Sequence, residues 1–267
     1  MRSVLTNPIW EELEPRVRAA KRSPAGAKGE IPDRLFLEAV LYRARTGLPW
    51  RDLPDEFGDW NAVYQRAKRW RLNGTWDRLF AGLPADSPVT DAKRLFVDST
   101  TVRAHPHAAG AKKKDREAEE AFGRSRGGFS TKVHLICTDE DTAVEVRLTP
   151  GQAGDAPQFD ALFDAATERV PDAEEVVADK GYDSWAIKDK VVESGRPAHI
   201  PSKANAKEPW LIDEDAYKDR NRVERLIGKM KQFRAVATRY DKLAASFLAT
   251  IKLVLSFIKV RSFVNRT

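Results

Sequence analysis

Cysteine is nearly absent: Cys137 is the one thiol among 267 residues. No intrachain disulfide can form, which excludes a disulfide-stapled scaffold and fits a reducing cytosol. Cys137 lies in an apolar run, VHLIC, and reads as packing. Long hydrophobic runs are missing too. The most apolar stretch, FLATIKLVLSFIKV, is interrupted by Lys252 and Lys259 and is too short to span a bilayer, so a core helix is expected there. The opening residues, MRSVLTNPIWEELEP, lack the apolar segment of a secretory signal. There is no internal repeat and no long low-complexity tract. What is present is positive charge. Lys and Arg total 46 against 40 Asp and Glu, a net charge of +6 and a pI near 9.3, which favours a polyanionic partner.

The stretch GLPADSPVTDA, residues 82–92, is rich in Pro, Asp and small residues and divides the chain. It suggests a helical domain over 1–82, a linker over 83–92 and a second domain over 93–267. In the first domain, Leu37, Val40 and Leu41 recur at helical spacing, and Gly47 follows as a stop. LPWRDLPDEFGDW is turn-rich. WNAVYQRAKRWRLNG then reads as a helix with Val63, Ala67 and Trp70 on one face and Arg66, Lys68, Arg69 and Arg71 around it. No acid falls between Asn61 and Gly74. Two readings stay open. One is a helix-turn-helix whose last helix enters the major groove; the other is a small bundle with a solvated basic face.

The second domain alternates. RLFVDSTTV, STKVHLICTD and TAVEVRLTP read as strands, the last two joined as a hairpin by DEDT. GDAPQFDALFDAATERV is a helix with Asp155 near its N-cap and Pro157 in its first turn. EEVVADKGYD is a strand ending at Asp179, SWAIKDKVVESG a helix, and RPAHIPS a short strand. Helices are expected over 214–235 and about 241–263. This order predicts an α/β fold, a mixed sheet with flanking helices, preceded by a small all-α domain.

Asp98 follows Leu95, Phe96 and Val97, and Asp179 follows Val176, Val177 and Ala178. A carboxylate buried beside a core strand costs several kcal/mol unless it is paired, caps a turn or binds metal. Glu224 lies in YKDRNRVERLIGKMK, among cations. At about 100° per residue, Tyr217, Arg220, Glu224 and Lys231 fall in a stripe roughly 60° wide. Val223, Leu226, Ile227, Met230 and Phe233 form the apolar face beside it. An Arg220–Glu224 pair at i,i+4 explains Glu224 but not why Tyr217 and Lys231 share its line. A three-carboxylate cluster suits Mg²⁺, which takes oxygen ligands and supports phosphodiester chemistry, with nearby cations gripping the DNA backbone.

These motifs resemble the DDE transposases of the insertion-sequence four and five groups. Tyr217, Arg220, Glu224 and Lys231 fit the Y-(2)-R-(3)-E-(6)-K signature. FVDSTTVRAH and VVADKGYDS resemble the strands of the first and second Asp, and GRSRGGFSTKVHL and LTPGQAGDAPQFDAL the segments between them. RTGLPWRDLP and the Trp60–Trp70 helix resemble the N-terminal domain of the insertion-sequence-five family. The resemblance covers nearly the whole chain. It implies an RNase H-like fold with Asp98, Asp179 and Glu224 as the catalytic, metal-binding triad. Mg²⁺ is the implied cofactor, with Mn²⁺ as a substitute. It further implies binding to terminal inverted repeats, cleavage to a 3′-hydroxyl, and joining to target DNA. Tyr217, Arg220 and Lys231 would handle DNA near the scissile phosphate, and helix 59–74 would help bind the ends. A homodimer on DNA and a prokaryotic, cytoplasmic, nucleoid-associated location follow, with no membrane.

Charge alone nominates Lys132 and Arg126 as phosphate contacts. His105 and His107 form an HxH near Asp98, yet imidazole suits zinc or copper better than magnesium, so a loop role is expected. The run KKKDREAEE from Lys112 reads as a solvated segment. His134 faces either the polar side of the sheet or DNA. Trp50, Trp60, Trp70 and Trp76 read as core anchors, and Trp185 stays open. The rival readings are a catalytically inactive, sequence-specific DNA-binding repressor and another RNase H-like nuclease.

Overall fold

In chain order, a computed structural model places α1 (Asn7–Ala20), α2 (Asp33–Thr46), α3 (Trp60–Leu72), α4 (Thr75–Ala85), β1 (Arg94–Ala104), β2 (Gly123–Ser125), β3 (Gly128–Cys137) and β4 (Ala143–Pro150). Then come α5 (Phe159–Arg169), β5 (Glu175–Ala178), α6 (Trp185–Glu193), β6 (Ala198–His199), α7 (Glu214–Lys218), α8 (Asn221–Lys231), α9 (Arg234–Ala237), β7 (Thr238–Arg239) and α10 (Ala244–Arg266). The structure describes residues 3–21, 31–85, 93–110, 121–125 and 128–266. Most of the expected linker, the charged run from Lys112 and Arg126 lie outside the described residues.

The chain forms two units. One draws on Met1–Leu83, Arg103–Glu120 and Lys229–Thr267, the other on Pro84–Val102 and Ala121–Gly228. One crossing, at Leu83/Pro84, coincides with the composition break at 82–92. Two more, at Val102/Arg103 and Gly228/Lys229, fall inside β1 and α8, where no change of composition marks them, and the fourth is at Glu120/Ala121.

The first unit is helical. Gly47 closes α2 with φ of 76°, a left-handed conformation that glycine adopts without a Cβ penalty, and its N–H donates to the Arg43 carbonyl at 2.8 Å. Asp59 caps α3 by accepting from the N–H groups of Asn61 and Ala62 at 3.1 and 3.0 Å. Phe36, Trp70 and Trp76 pack as an aromatic cluster with ring centroids 4.8–6.0 Å apart. Trp70 and Trp76 are thus core anchors, whereas Trp50 and Trp60 are only half-buried. The link from α2 to α3 holds two short 3-10 turns, at Trp50–Asp52 and Asp55–Phe57. It is therefore longer than the three- or four-residue turn of a compact helix-turn-helix.

The apolar stretch 247–260 is the buried core helix α10, and its Lys252 is neutralised by Asp77 at 2.5 Å. Among the described residues no helix is long and apolar enough to cross a membrane. The guanidinium of Arg43, 4.4 Å above the Trp50 ring, meets Asp241 at 3.0 Å, with both side chains below 10% exposure. Asp241→Ala leaves that cation buried without its partner. It should destabilise by about 3–5 kcal/mol in denaturant unfolding, and Arg43→Met with Asp241→Leu should recover most of the loss.

The second unit is built on a mixed sheet. β3 and β4 pair antiparallel as the expected hairpin, whose turn is closed by Thr138 N–H to the Thr142 carbonyl at 3.0 Å. β1 lies between β3 and β5, and β5 runs parallel to both β1 and β6. Leu95 and Val97 of β1 join Val176 and Ala178 of β5 in a core with Phe159, Leu162 and Phe163 of α5 and Ile187 and Val191 of α6. By the two-residue period of a strand, Phe96 and Asp98 face the other way. There the Arg222 guanidinium of α8 lies 6.0 Å from the Phe96 ring, and Val223 and Leu226 are buried.

Two expectations change in detail. The continuous helix over 214–235 is instead α7, α8 and α9. Asp219 and Arg220 tighten the first joint, where Arg220 N–H donates to the Tyr217 carbonyl at 3.0 Å. Asp155 makes no side-chain cap for the following helical turn, because its carboxylate is drawn to Lys132 at 3.1 Å.

Candidate active site

β1 and β5 are in parallel register, with Val97 opposite Ala178. The next residue of each strand is an aspartate, so register alone sets Asp98 and Asp179 side by side. Asp98 does not end its strand, since β1 continues to Ala104. Its Oδ1 accepts from the Ser99 N–H at 2.7 Å, and its Oδ2 lies 3.3 Å from Nη1 of Arg220. Asp179 directly follows β5 and caps the 3-10 turn Lys180–Tyr182, accepting from the Gly181 N–H at 2.8 Å. A Cβ on Gly181 would approach that same oxygen to 2.8 Å, so glycine lets the carboxylate sit over the turn.

Glu224 stands in the first turn of α8, about half exposed, and its Oε1 accepts from Nη2 of Arg220. Arg220 therefore bridges Asp98 and Glu224. The joint that carries Arg220 is anchored from below. Arg94 at the start of β1 binds Glu175 of β5 at 2.5 Å and Asp219 at 2.8 Å.

Electrostatics ties the three acids together. Burial pushes the Asp98 carboxyl up to about 6, and the negative charges of Asp179 and Glu224 add to the rise. The Ser99 N–H and Arg220 oppose it without cancelling it. With Arg220 interposed, no three His, Cys, Asp or Glu side chains among the described residues are gathered closely enough to hold a metal ion. The donor set is nonetheless all oxygen, the chemistry of a hard cation, and the arginine places one positive charge among the acids.

The other nominated residues divide. Tyr217 is half-buried, its ring 5.9 Å from the Arg220 guanidinium. Lys231 falls in the first unit, and burial holds its ammonium below the usual lysine range. Lys132 is mostly buried in its pair with Asp155. Arg66 pairs with Asp33, donates to the Ile31 carbonyl at 2.7 Å and lies 4.3 Å over the Phe36 ring, so its charge is spent inside the helical unit. Arg69 is exposed.

His134 is fully buried. Its Nε2 lies 2.7 Å from the Thr149 hydroxyl, and burial pushes its pKa down to about 4, so the ring is neutral and packed rather than facing DNA. His105 stacks edge-on to His107 at 4.6 Å and lies 5.1 Å from Tyr240, within the first unit. Trp185 is exposed and meets Trp210 edge-on at 5.6 Å. The sequence reading missed Arg94 and Asp219 as site supports. It also missed buried Lys188, held by Asp183 at 2.5 Å. A lysine between Ile187 and Val191 on an apolar helix face was the available signal for the last; nothing local distinguishes Arg94.

Carboxylates carried on or directly after two adjacent parallel strands and on a cation-rich helix, on a mixed sheet after a helical segment, are the marks of the DDE transposase class. The chain belongs to the family described as "Transposase DDE domain", which matches residues 90–258. A second family, "Putative transposase of IS4/5 family", matches residues 5–80, so the chain is a transposase of the insertion-sequence four/five group. "Uncharacterized protein y4sN" of Sinorhizobium fredii is 46% identical over 108 residues, covering 39% of this chain and 79% of that protein. "Putative transposase for insertion sequence element IS6501" of Brucella ovis is 27% identical over 135 residues, covering 50% of this chain and all of that protein. Among solved structures, a piggyBac transposase synaptic complex with hairpin DNA aligns with 79% of this chain at 12% identity and a TM-score of 0.41. The chain spans about half the length of that protein, 51%.

Proposed function

We propose that the chain cleaves DNA at the terminal inverted repeats of an insertion sequence and joins the freed 3′-hydroxyl to target DNA, with Asp98, Asp179 and Glu224 as the catalytic triad. The observation that carries this reading is that Asp98 and Asp179 directly follow the paired residues Val97 and Ala178, while Arg220 joins Asp98 to Glu224. The three carboxylates would hold Mg²⁺, with Mn²⁺ as a substitute, once the arginine releases Glu224. Bound there, the ion would supply an activated attacking oxygen and charge stabilisation at the phosphate.

The protein's own residues do the rest. Asp98 must lose its proton, which the surrounding burial resists. Arg220, freed from the carboxylates, remains a fork of donors beside the triad, suited to a phosphate oxygen. The Tyr217 ring lies 5.9 Å from its guanidinium. Arg94 and Asp219 keep the α7–α8 joint on the sheet while Arg220 changes partners. Residues 1–82, with Arg69 on α3, would bind the repeat. Joining two ends requires at least a dimer on DNA, with two-fold symmetry expected. A lone protomer joining paired ends, seen by gel filtration of the DNA complex, would rule the dimer out.

The test is a labelled duplex carrying the flanking element's terminal repeat, incubated with protein and Mg²⁺ or EDTA. Nicking at the repeat end with Mg²⁺ alone is the expected result. Binding without cleavage in Mg²⁺ or Mn²⁺ would make the chain a DNA-binding protein in which Arg220 permanently neutralises the acids. Cutting of branched DNA without end joining would make it a different nuclease.

A further inference from the structure

The exposed face of α3 differs from the face its arginines suggested. Asn61, Gln65, Lys68 and Leu72 are all exposed, and their spacing of four, three and four places them on one line along the helix. Arg69 lies beside that line and is exposed too. Arg66, by contrast, is consumed by Asp33 and the Phe36 ring. The line begins with two amides in a row, the Gln65 Nε2 lying 3.5 Å from the Asn61 Oδ1. It ends in a leucine that is 66% exposed. No acid lies within α3 itself, and the carboxylate nearest in sequence, Asp59, is engaged in capping the N–H groups of Asn61 and Ala62.

We infer that this line is a base-reading edge: Asn61 and Gln65 read adenine in the major groove of the end DNA, and Leu72 abuts a thymine methyl. The inference rests on the proposal that residues 1–82 bind the terminal repeat, and it deepens that proposal. The chemistry is specific. An amide presents one acceptor and one donor side by side, which matches N6–H₂ and N7 of adenine in a bidentate pair. Both amides stand in the N-terminal half of the helix, the part of a recognition helix that meets base edges. Lys68 and Arg69 supply the phosphate contacts that set register without reading sequence. A DNA duplex fits this surface better than an acidic protein would, because the two amides and the exposed leucine that flank Lys68 and Arg69 offer an acidic side chain no charge to pair with.

The experiment uses the full chain and two duplexes, one carrying the terminal repeat and one scrambled. Asn61→Ala and Gln65→Ala should each lower the ratio of end to scrambled affinity by about tenfold, with the salt dependence unchanged. Lys68→Ala and Arg69→Ala should weaken both duplexes alike and flatten the dependence on log salt by about one unit each. As a check that needs no variant, replacing adenines of the repeat by 7-deazaadenine, which lacks the N7 acceptor, should weaken wild-type binding at one or two positions by a similar factor. Those positions should be insensitive in the matching alanine variant. A wild type that discriminates the repeat, with both amide variants discriminating equally well and no adenine N7 mattering, overturns this inference and leaves end binding standing. A wild type with no preference for the repeat overturns end recognition and this inference together.

Discussion

Glu224→Gln is expected to lower repeat-end nicking by on the order of a thousandfold or more, about 4 kcal/mol of barrier, while end-duplex affinity holds or rises slightly. Glutamine keeps the length and the carbonyl oxygen of Glu224 but loses its charge. It can still sit against Arg220, so α8 has no reason to move. It cannot serve as an anionic ligand, which is the one property the proposed chemistry needs. Asp98→Asn and Asp179→Asn should behave alike, and any pair of these changes should cost little more than one, since the acids act as a unit. Single-turnover cleavage with a parallel binding assay measures both quantities. Retained cleavage in Glu224→Gln would return Glu224 to an ordinary partner of Arg220. Equal loss of binding and cleavage would point to a structural role for α8 instead.

The second large effect concerns stability without divalent metal. The Asp98 carboxyl is held near 6, above its ordinary 3.8, chiefly by burial. A raised carboxyl favours its protonated form in the folded state. Its contribution is therefore present below about pH 4 and is lost as pH rises through about 6. The amide introduced by Asp98→Asn has no proton to lose. In EDTA, the stability of Asp98→Asn relative to wild type should thus grow by roughly 2–3 kcal/mol between about pH 4 and pH 7.5. Urea unfolding at the two pH values measures the change. Divalent metal added at the higher pH should close most of the gap by stabilising the wild type. A gap independent of pH would mean that Arg220 fully compensates the buried charge.

These effects meet at a site only part of which could be read from residues in order. The strands carrying Asp98 and Asp179 were visible because apolar runs ended in acids, and the Glu224 helix because its apolar face had a helical period. The core role of residues 247–260 was likewise visible from two lysines in an otherwise apolar run. Arg66 was misjudged. On a helical wheel it is one more cation around Trp70, yet Asp33, thirty-three positions earlier in the chain, captures it. Lys132 was captured in the same way by Asp155, twenty-three positions later. An exposed and a paired cation look alike in sequence, because the partner is set by how distant segments pack. The breaks between α7, α8 and α9 were hidden for a related reason. Helical periodicity runs through Asp219 and Arg220, but their side chains are claimed by Arg94 and Asp98 on the first strand, and the backbone tightens to deliver them.

Residue order was enough to establish most of the main strands and helices, the acid-bearing segments, the basic acid-free helix and the family, because each is carried by local spacing and residue chemistry. Which charges are free emerged from the folded chain alone. Packing set Asp98 beside Asp179 through strand register, placed Arg220 between Asp98 and Glu224, buried His134 in a neutral pair with Thr149, and left Asn61, Gln65, Lys68 and Leu72 as the open edge of α3. The pairings that make these arrangements join residues far apart in the chain, and neither composition nor periodicity records such contacts.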